Sequence, residues 1–184
     1  AGFTISFFTR MLYSCLVDAD FLDTERFMSN GSVARDPGEP LPILRGKLAQ
    51  YLKKFDHPQN DLNRMRCNIL NRCLQMAENG RGLCTLTVPT GGGKTLSSLA
   101  FALEHAKHNE QRRVIYVIPY TSIIEQTAEE FRTVLGDRNV LEHQHNFQYD
   151  YGDDRIDPRR LAAENWDKPV IVTTNVQFFE SLFA

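Results

Sequence analysis

The chain has 184 residues, with 21 Lys and Arg against 23 Asp and Glu, for a formal net charge of −2. That length suits one domain, or one domain and a piece of another, and 42% apolar content argues against both a disordered chain and a membrane protein. No apolar run is long enough to span a bilayer, and a slightly acidic balance excludes a broad basic footprint for nucleic acid, leaving only local contacts.

In chain order, residues 3–27 read as a helix. Leu12, Leu16, Ala19, Leu22 and Phe27 recur at helical spacing, and Met28-Ser29-Asn30-Gly31 forms a stop signal. The apolar start has no charged leader and no small-residue cleavage site close behind it, so no signal peptide is expected. Asp18, Asp20, Asp23 and Glu25 taken alone read as a solvated acidic face. Residues 31–42 hold Gly, Pro, Ser and acids without periodicity, which predicts an exposed linker and a domain boundary. A short amphipathic helix over 44–55 is broken by His57-Pro58-Gln59-Asn60. Asn60 or Asp61 can cap the next helix, 62–79, which Asn79-Gly80 closes.

Then the elements alternate. Strands are predicted over 83–88, 114–118, 140–142 and 170–174. Helices are predicted over 94–108, 122–135, 159–165 and 176–183, with a polar stretch over 143–158. Short continuous apolar strands between helices mean an α/β fold with a buried parallel sheet. Cys15, Cys67, Cys73 and Cys84 form no Cys-x-x-Cys pair and read as reduced thiols with a cytoplasmic address. His57, His105, His108, His143 and His145 read as surface or loop residues.

Between the first of these strands and its helix lies Val88-Pro89-Thr90-Gly91-Gly92-Gly93-Lys94-Thr95. Strand, glycine loop, Lys-Thr, helix is the order of a phosphate-binding loop. Glycines let backbone N–H groups turn inward around a polyphosphate, and the helix N-terminus adds partial positive charge. Lys94 can reach the β and γ phosphates and Thr95 can hold Mg²⁺, so ATP with Mg²⁺ is the expected ligand. The strict pattern has a glycine where this chain has Val88.

With Pro89-Thr90 ahead of the glycines, this loop resembles that of superfamily 2 helicases, which often lack that first glycine. One βα unit later, Pro119-Tyr120-Thr121-Ser122-Ile123-Ile124-Glu125-Gln126 resembles their motif Ia, which lies against the backbone of a bound single strand. Thr121 or Ser122 is expected to cap the helix behind it. Lys168 to Phe183, with Thr173-Thr174-Asn175-Val176-Gln177, resembles the matching motif of the helicase-nuclease of type I CRISPR-Cas systems. Tyr13 to Glu25 resembles the last helix of that family's HD nuclease domain. There the pair matching Ala19-Asp20 supplies the final metal ligand, and Ser14 matches a serine of the same helix.

The resemblance implies an HD-domain helix over 1–30, a linker with a short helix over 31–60, and part of a RecA-like P-loop domain over 61–184. It implies Pro89 to Thr95 as the nucleotide site, with Lys94 and Thr95 catalytic. It implies Asp20 at a divalent transition metal, and Thr121, Ser122, Gln126, Thr173, Thr174 and Gln177 on single-stranded DNA. The implied partners are that DNA and an RNA-guided CRISPR surveillance complex, with no membrane. Relatives often carry an adenine-reading glutamine before the loop. At about that distance this chain offers Arg66 or Asn68, and Arg66 either meets the base or is a surface arginine on an amphipathic helix.

The histidines of an HD site, the Asp-Glu-x-His-type box that orients water, and a second RecA-like domain with its arginine finger are not among these residues. The expectation is therefore an internal piece of a larger enzyme, inactive by itself. The rival readings are a small nucleotide kinase and a nucleotide- or partner-binding module. Kinase turnover would need no DNA, and a bare module would turn nothing over.

Overall fold

In the computed structural model, residues 2–28, 36–144 and 166–183 are described. A 27-residue helix, α1 (Gly2–Met28), comes first. Its apolar residues lie on all sides of the helix, and Phe3, Phe8, Tyr13, Leu16 and Phe21 are exposed. Next come α2 (Leu41–Leu52), a 3₁₀ turn (Lys53–Phe55) and α3 (Asp61–Met76). The remaining elements are α4 (Lys94–His108), β1 (Val114–Ile118), α5 (Thr121–Leu135), a 3₁₀ turn (Asp137–Asn139), β2 (Val140–His143), β3 (Val170–Thr174) and α6 (Asn175–Phe183).

The three strands form one parallel sheet in the order β1-β3-β2, with β3 central. Val114 pairs with Val170 and Ile118 with Thr174; Val140 also pairs with Val170. Alternation along each strand sends Val114, Tyr116, Val140, Val170 and Val172 to one face. There they meet Leu99 and Leu103 of α4, Ile124 and Phe131 of α5, and Leu44 and Leu48 of α2 in one core. The other face is thinner: Leu141 and Ile171 pack with Trp166, while Ile115 and Val117 of β1 are each 40% exposed.

Four departures from the sequence reading stand out. Pro42 sits in the first turn of α2, where its fixed φ suits a helix and its missing N–H costs nothing, so the helix starts at Leu41 inside the expected linker. Residues 36–40 are tied down rather than free. Asp36 bonds Arg138 at 2.8 Å and Lys168 at 3.2 Å, and the Asn139 side chain accepts from the Glu39 N–H at 2.7 Å. Gly38 has φ +71, and a Cβ there would lie 2.8 Å from Pro169 and 2.9 Å from Asn139 Oδ1.

Second, α3 ends at Met76 rather than 79; its start is as expected, with the Asn60 side chain accepting from Asn63 N–H at 2.8 Å. Third, α5 begins at Thr121 after Tyr120 with no side-chain cap, so neither Thr121 nor Ser122 caps it: both already lie inside the helix. Fourth, residues 83–88 form no strand, and Leu83 is almost wholly exposed. A strand is defined by its ladder, and no strand pairs with this segment among the described residues. The helix expected over 159–165 falls outside the described residues. No described helix is long and apolar enough to cross a membrane.

Candidate functional site

Parallel strands with helices between them bring helix N-termini to one edge of the sheet. Here α5 starts three residues after β1 ends, and α6 starts directly after β3. The short link from α4 into β1 places the start of α4 at the same edge. Ligands of open α/β sheets bind at this carboxyl edge.

The glycine loop is built from three glycines with two different duties. Gly91 has φ +79 and Gly93 has φ +77, a region open to glycine and strained for other residues. Gly93 is the N-cap of α4. Gly92 serves by size: a Cβ there would lie 2.6 Å from Val88 Cγ1 and 2.9 Å from the Pro89 carbonyl. Gly92 N–H donates to that carbonyl at 3.0 Å and closes the turn. Val88, where the strict motif has glycine, is buried against Gly92. The departure is thus absorbed inside the loop.

Lys94 and Thr95 open α4, Lys94 exposed and Thr95 partly buried. Ser98 donates to the Thr95 carbonyl at 3.0 Å and receives the hydroxyl of Tyr116 at 3.1 Å, so β1 anchors the first turn of α4. Burial raises the Tyr116 hydroxyl's pKa well above its usual value, keeping it a neutral donor. The turn-and-helix cradle fits a bound polyphosphate: its narrowest point is held free of side chains, and the amide-rich helix end faces it.

Beside Gly93 opens a cavity of about 390 Å³, lined among others by Phe55, Gln59, Asn63, Arg66 and Leu96. Gln59 escaped the sequence reading, although His57-Pro58-Gln59 just ahead of the α3 cap was a usable signal. Its amide donates to the His57 carbonyl at 3.1 Å. Arg66, one of two candidates for the base, donates Nε to the Gly91 carbonyl at 2.8 Å.

At the other two helix starts the candidates divide. Thr121, Ser122 and Gln126 are exposed on α5. Thr174 accepts from Gln177 N–H at 3.0 Å and so caps α6, with both residues partly exposed. Thr173 is a correction. It is fully buried, and its hydroxyl donates to the His143 carbonyl at 2.8 Å, so it locks β3 to β2.

His143 and His105 are corrections too. The Trp166 indole donates to His143 Nδ1 at 2.9 Å, which puts the proton of the neutral ring on Nε2. Burial lowers the His143 pKa, against a smaller opposing pull from Glu180. His105 stacks on Phe101 and sets Nδ1 3.1 Å from the Ala77 carbonyl. Glu142, missed from sequence, is buried with Arg132 at 3.1 Å and Gln144 at 2.8 Å.

Asp20 is exposed on α1. Among the described residues no group of three or more His, Cys, Asp or Glu could hold a metal ion. The four cysteines are free thiols.

Comparison with known proteins decides the family. Residues 59–182 match the family model of the type III restriction enzyme res subunit. The chain belongs to that family. Its sheet and glycine loop are those of a RecA-like helicase domain, an ATP-binding module. The chain is also similar to the CRISPR-associated nuclease/helicase Cas3 of Haloferax volcanii, 32% identical over 122 residues. That match covers 54% of this chain and 13% of the relative.

Proposed function

We propose that this chain is the nucleotide-binding part of an ATP-driven single-strand DNA translocase joined to an HD-type metal nuclease, acting with an RNA-guided CRISPR complex in the cytoplasm. The observation that carries the reading is the loop: two left-handed glycines, a third fixed by size, and Lys94-Thr95 at the start of α4. The similarity to a CRISPR-associated nuclease/helicase supports the biological setting. The resemblance of Ala19-Asp20 supports the nuclease, with Asp20 one ligand of its metal site. One carboxylate does not make that site.

In this reading a bound Mg²⁺ would supply charge neutralisation for the transferred phosphoryl group. The Gly91–Gly93 backbone would wrap the phosphates, Lys94 would offset their β/γ charge, and the Thr95 hydroxyl would hold the ion. The base enters the adjoining cavity, where Gln59 and Asn63 offer amide donors and acceptors and Phe55 an aromatic wall. Thr121, Ser122 and Gln126 on α5, with Thr174 and Gln177 on α6, meet the backbone of the single strand. Exposed hydroxyls, amides and free helix N–H groups at the carboxyl edge suit phosphates and read no base.

The test is DNA-stimulated ATPase in the full-length protein carrying Lys94→Ala. Turnover should be lost while single-strand binding without nucleotide is kept. Turnover equal to that of the unaltered protein would sink the proposal, and DNA-independent transfer of phosphate to a nucleotide would favour a kinase. This chain by itself should bind ATP weakly and hydrolyse almost none.

A further inference from the structure

We infer that Arg66 is a positioning residue: it holds the phosphate loop in its binding shape and does not read the base. The inference deepens the nucleotide-site reading and rests on it.

Gly91 is the least constrained point of the loop. A Cβ there would meet nothing within 4 Å, so no packing fixes it, and its φ of +79 is one of many a glycine can adopt. What fixes it is hydrogen bonding at both ends of the Gly91–Gly92 peptide. The Gly91 carbonyl accepts Arg66 Nε at 2.8 Å, and the Gly92 N–H donates to the Pro89 carbonyl at 3.0 Å. In a trans peptide these two groups point opposite ways, so the pair of bonds sets the plane.

The same arginine covers the next glycine. Its Cγ and Cβ lie 3.6 and 3.8 Å from where a Cβ of Gly93 would stand, ordinary packing distance over the N-cap of α4. The guanidinium is steadied from its own helix. Nη1 donates to Asn63 Oδ1 at 3.3 Å, and the Asn63 N–H donates to Asn60 Oδ1 at 2.8 Å. Asn60, Asn63 and Arg66, three apart along one helical face, thus connect the α3 cap to the loop. A loop shaped before the ligand arrives spends less binding energy on ordering itself. With Nε on Gly91 and Nη1 on Asn63, two of the three guanidinium nitrogens are already engaged within the protein.

The experiment compares Arg66→Ala and Arg66→Lys with the unaltered full-length protein. Without nucleotide, amide exchange at Gly92 should quicken in both variants while α4 and β1 keep their protection. With Mg²⁺, ATP, GTP and inorganic tripolyphosphate should all weaken by one common factor, about tenfold, the worth of a hydrogen bond from a charged donor. Lysine should not rescue, because a point ammonium lacks the fixed Nε direction. Weakened ATP with unchanged tripolyphosphate would make Arg66 a base reader and overturn the inference. Unchanged Gly92 exchange, or protection lost throughout α3 and α4, would overturn it as well. The nucleotide-free exchange arm stands even if the protein binds no ATP, so failure here is separable from failure of the proposed function.

Discussion

Gly92→Ala tests the loop's central steric argument. The added methyl would sit 2.6 Å from Val88 Cγ1, 2.9 Å from the Pro89 carbonyl oxygen and 3.4 Å from Ile69 Cδ1. Val88 is buried and branched at Cβ, so it has little rotamer freedom with which to retreat. The carbonyl is backbone and already bonded to the Gly92 N–H. Overpacking of this kind costs about 1–3 kcal/mol. If the strain is carried by the ATP-binding shape of the loop, affinity falls by about 5- to 150-fold. Adding Val88→Ala removes the nearest wall and should recover part of the loss, a coupling of at least about 0.5 kcal/mol. Gly80→Ala is the control, since a Cβ there meets nothing within 4 Å. The assay is nucleotide affinity by titration, alongside thermal unfolding. Normal affinity for Gly92→Ala, or losses that simply add in the double variant, would refute the argument.

Asp36→Asn should loosen the segment before α2. The Arg138 guanidinium, then the Gly38 N–H and Lys168, hold the Asp36 carboxyl well below the usual carboxylate range. Its contribution is therefore fully present above about pH 4 and fades as pH falls toward the depressed value. Because the carboxylate is 43% exposed, the effect should be about 1 kcal/mol or less and shrink with salt, read as a small loss in unfolding midpoint at pH 7. Thr121→Ala and Thr174→Ala in the full-length protein should each weaken single-strand binding by about 1 kcal/mol, whatever the DNA sequence, with ATP affinity kept. Thr174→Ser, which keeps the α6 cap, should bind normally; damaged ATP affinity with intact DNA affinity would reverse the assignment. Asp20→Ala should abolish metal-dependent cleavage and spare ATPase, and intact cleavage would return Asp20 to the solvated acidic face.

What the sequence made legible was what chemistry or local propensity demands. Lys94-Thr95 behind three glycines has few other uses, and Asn60 announced the start of α3 because a cap is a neighbour-range interaction. The strand over 83–88 was misread for the opposite reason: its composition is that of a strand, but membership of a sheet depends on a partner elsewhere. Distance hid the rest. Asp36 and Arg138 lie 102 residues apart, and nothing near either one signals the pairing. His143 became half-buried beside Trp166, whose indole bonds and meets its ring edge-on. Gln59 was overlooked because its significance is the cavity it borders, which α3 and the start of α4 create together.

The edge formed by β1 has a consequence for anyone handling this chain. Among the described residues β1 bonds on one side only, leaving a row of backbone donors and acceptors along Val114 to Ile118. Ile115 and Val117 flank that row with exposed apolar surface. Such an edge is a template for another extended segment, from any molecule that offers one. Two copies meeting there could continue each other's sheet, so solutions of the isolated chain should grow less monodisperse as concentration rises. Turbidity and sedimentation would report on that stickiness before any enzymatic assay does.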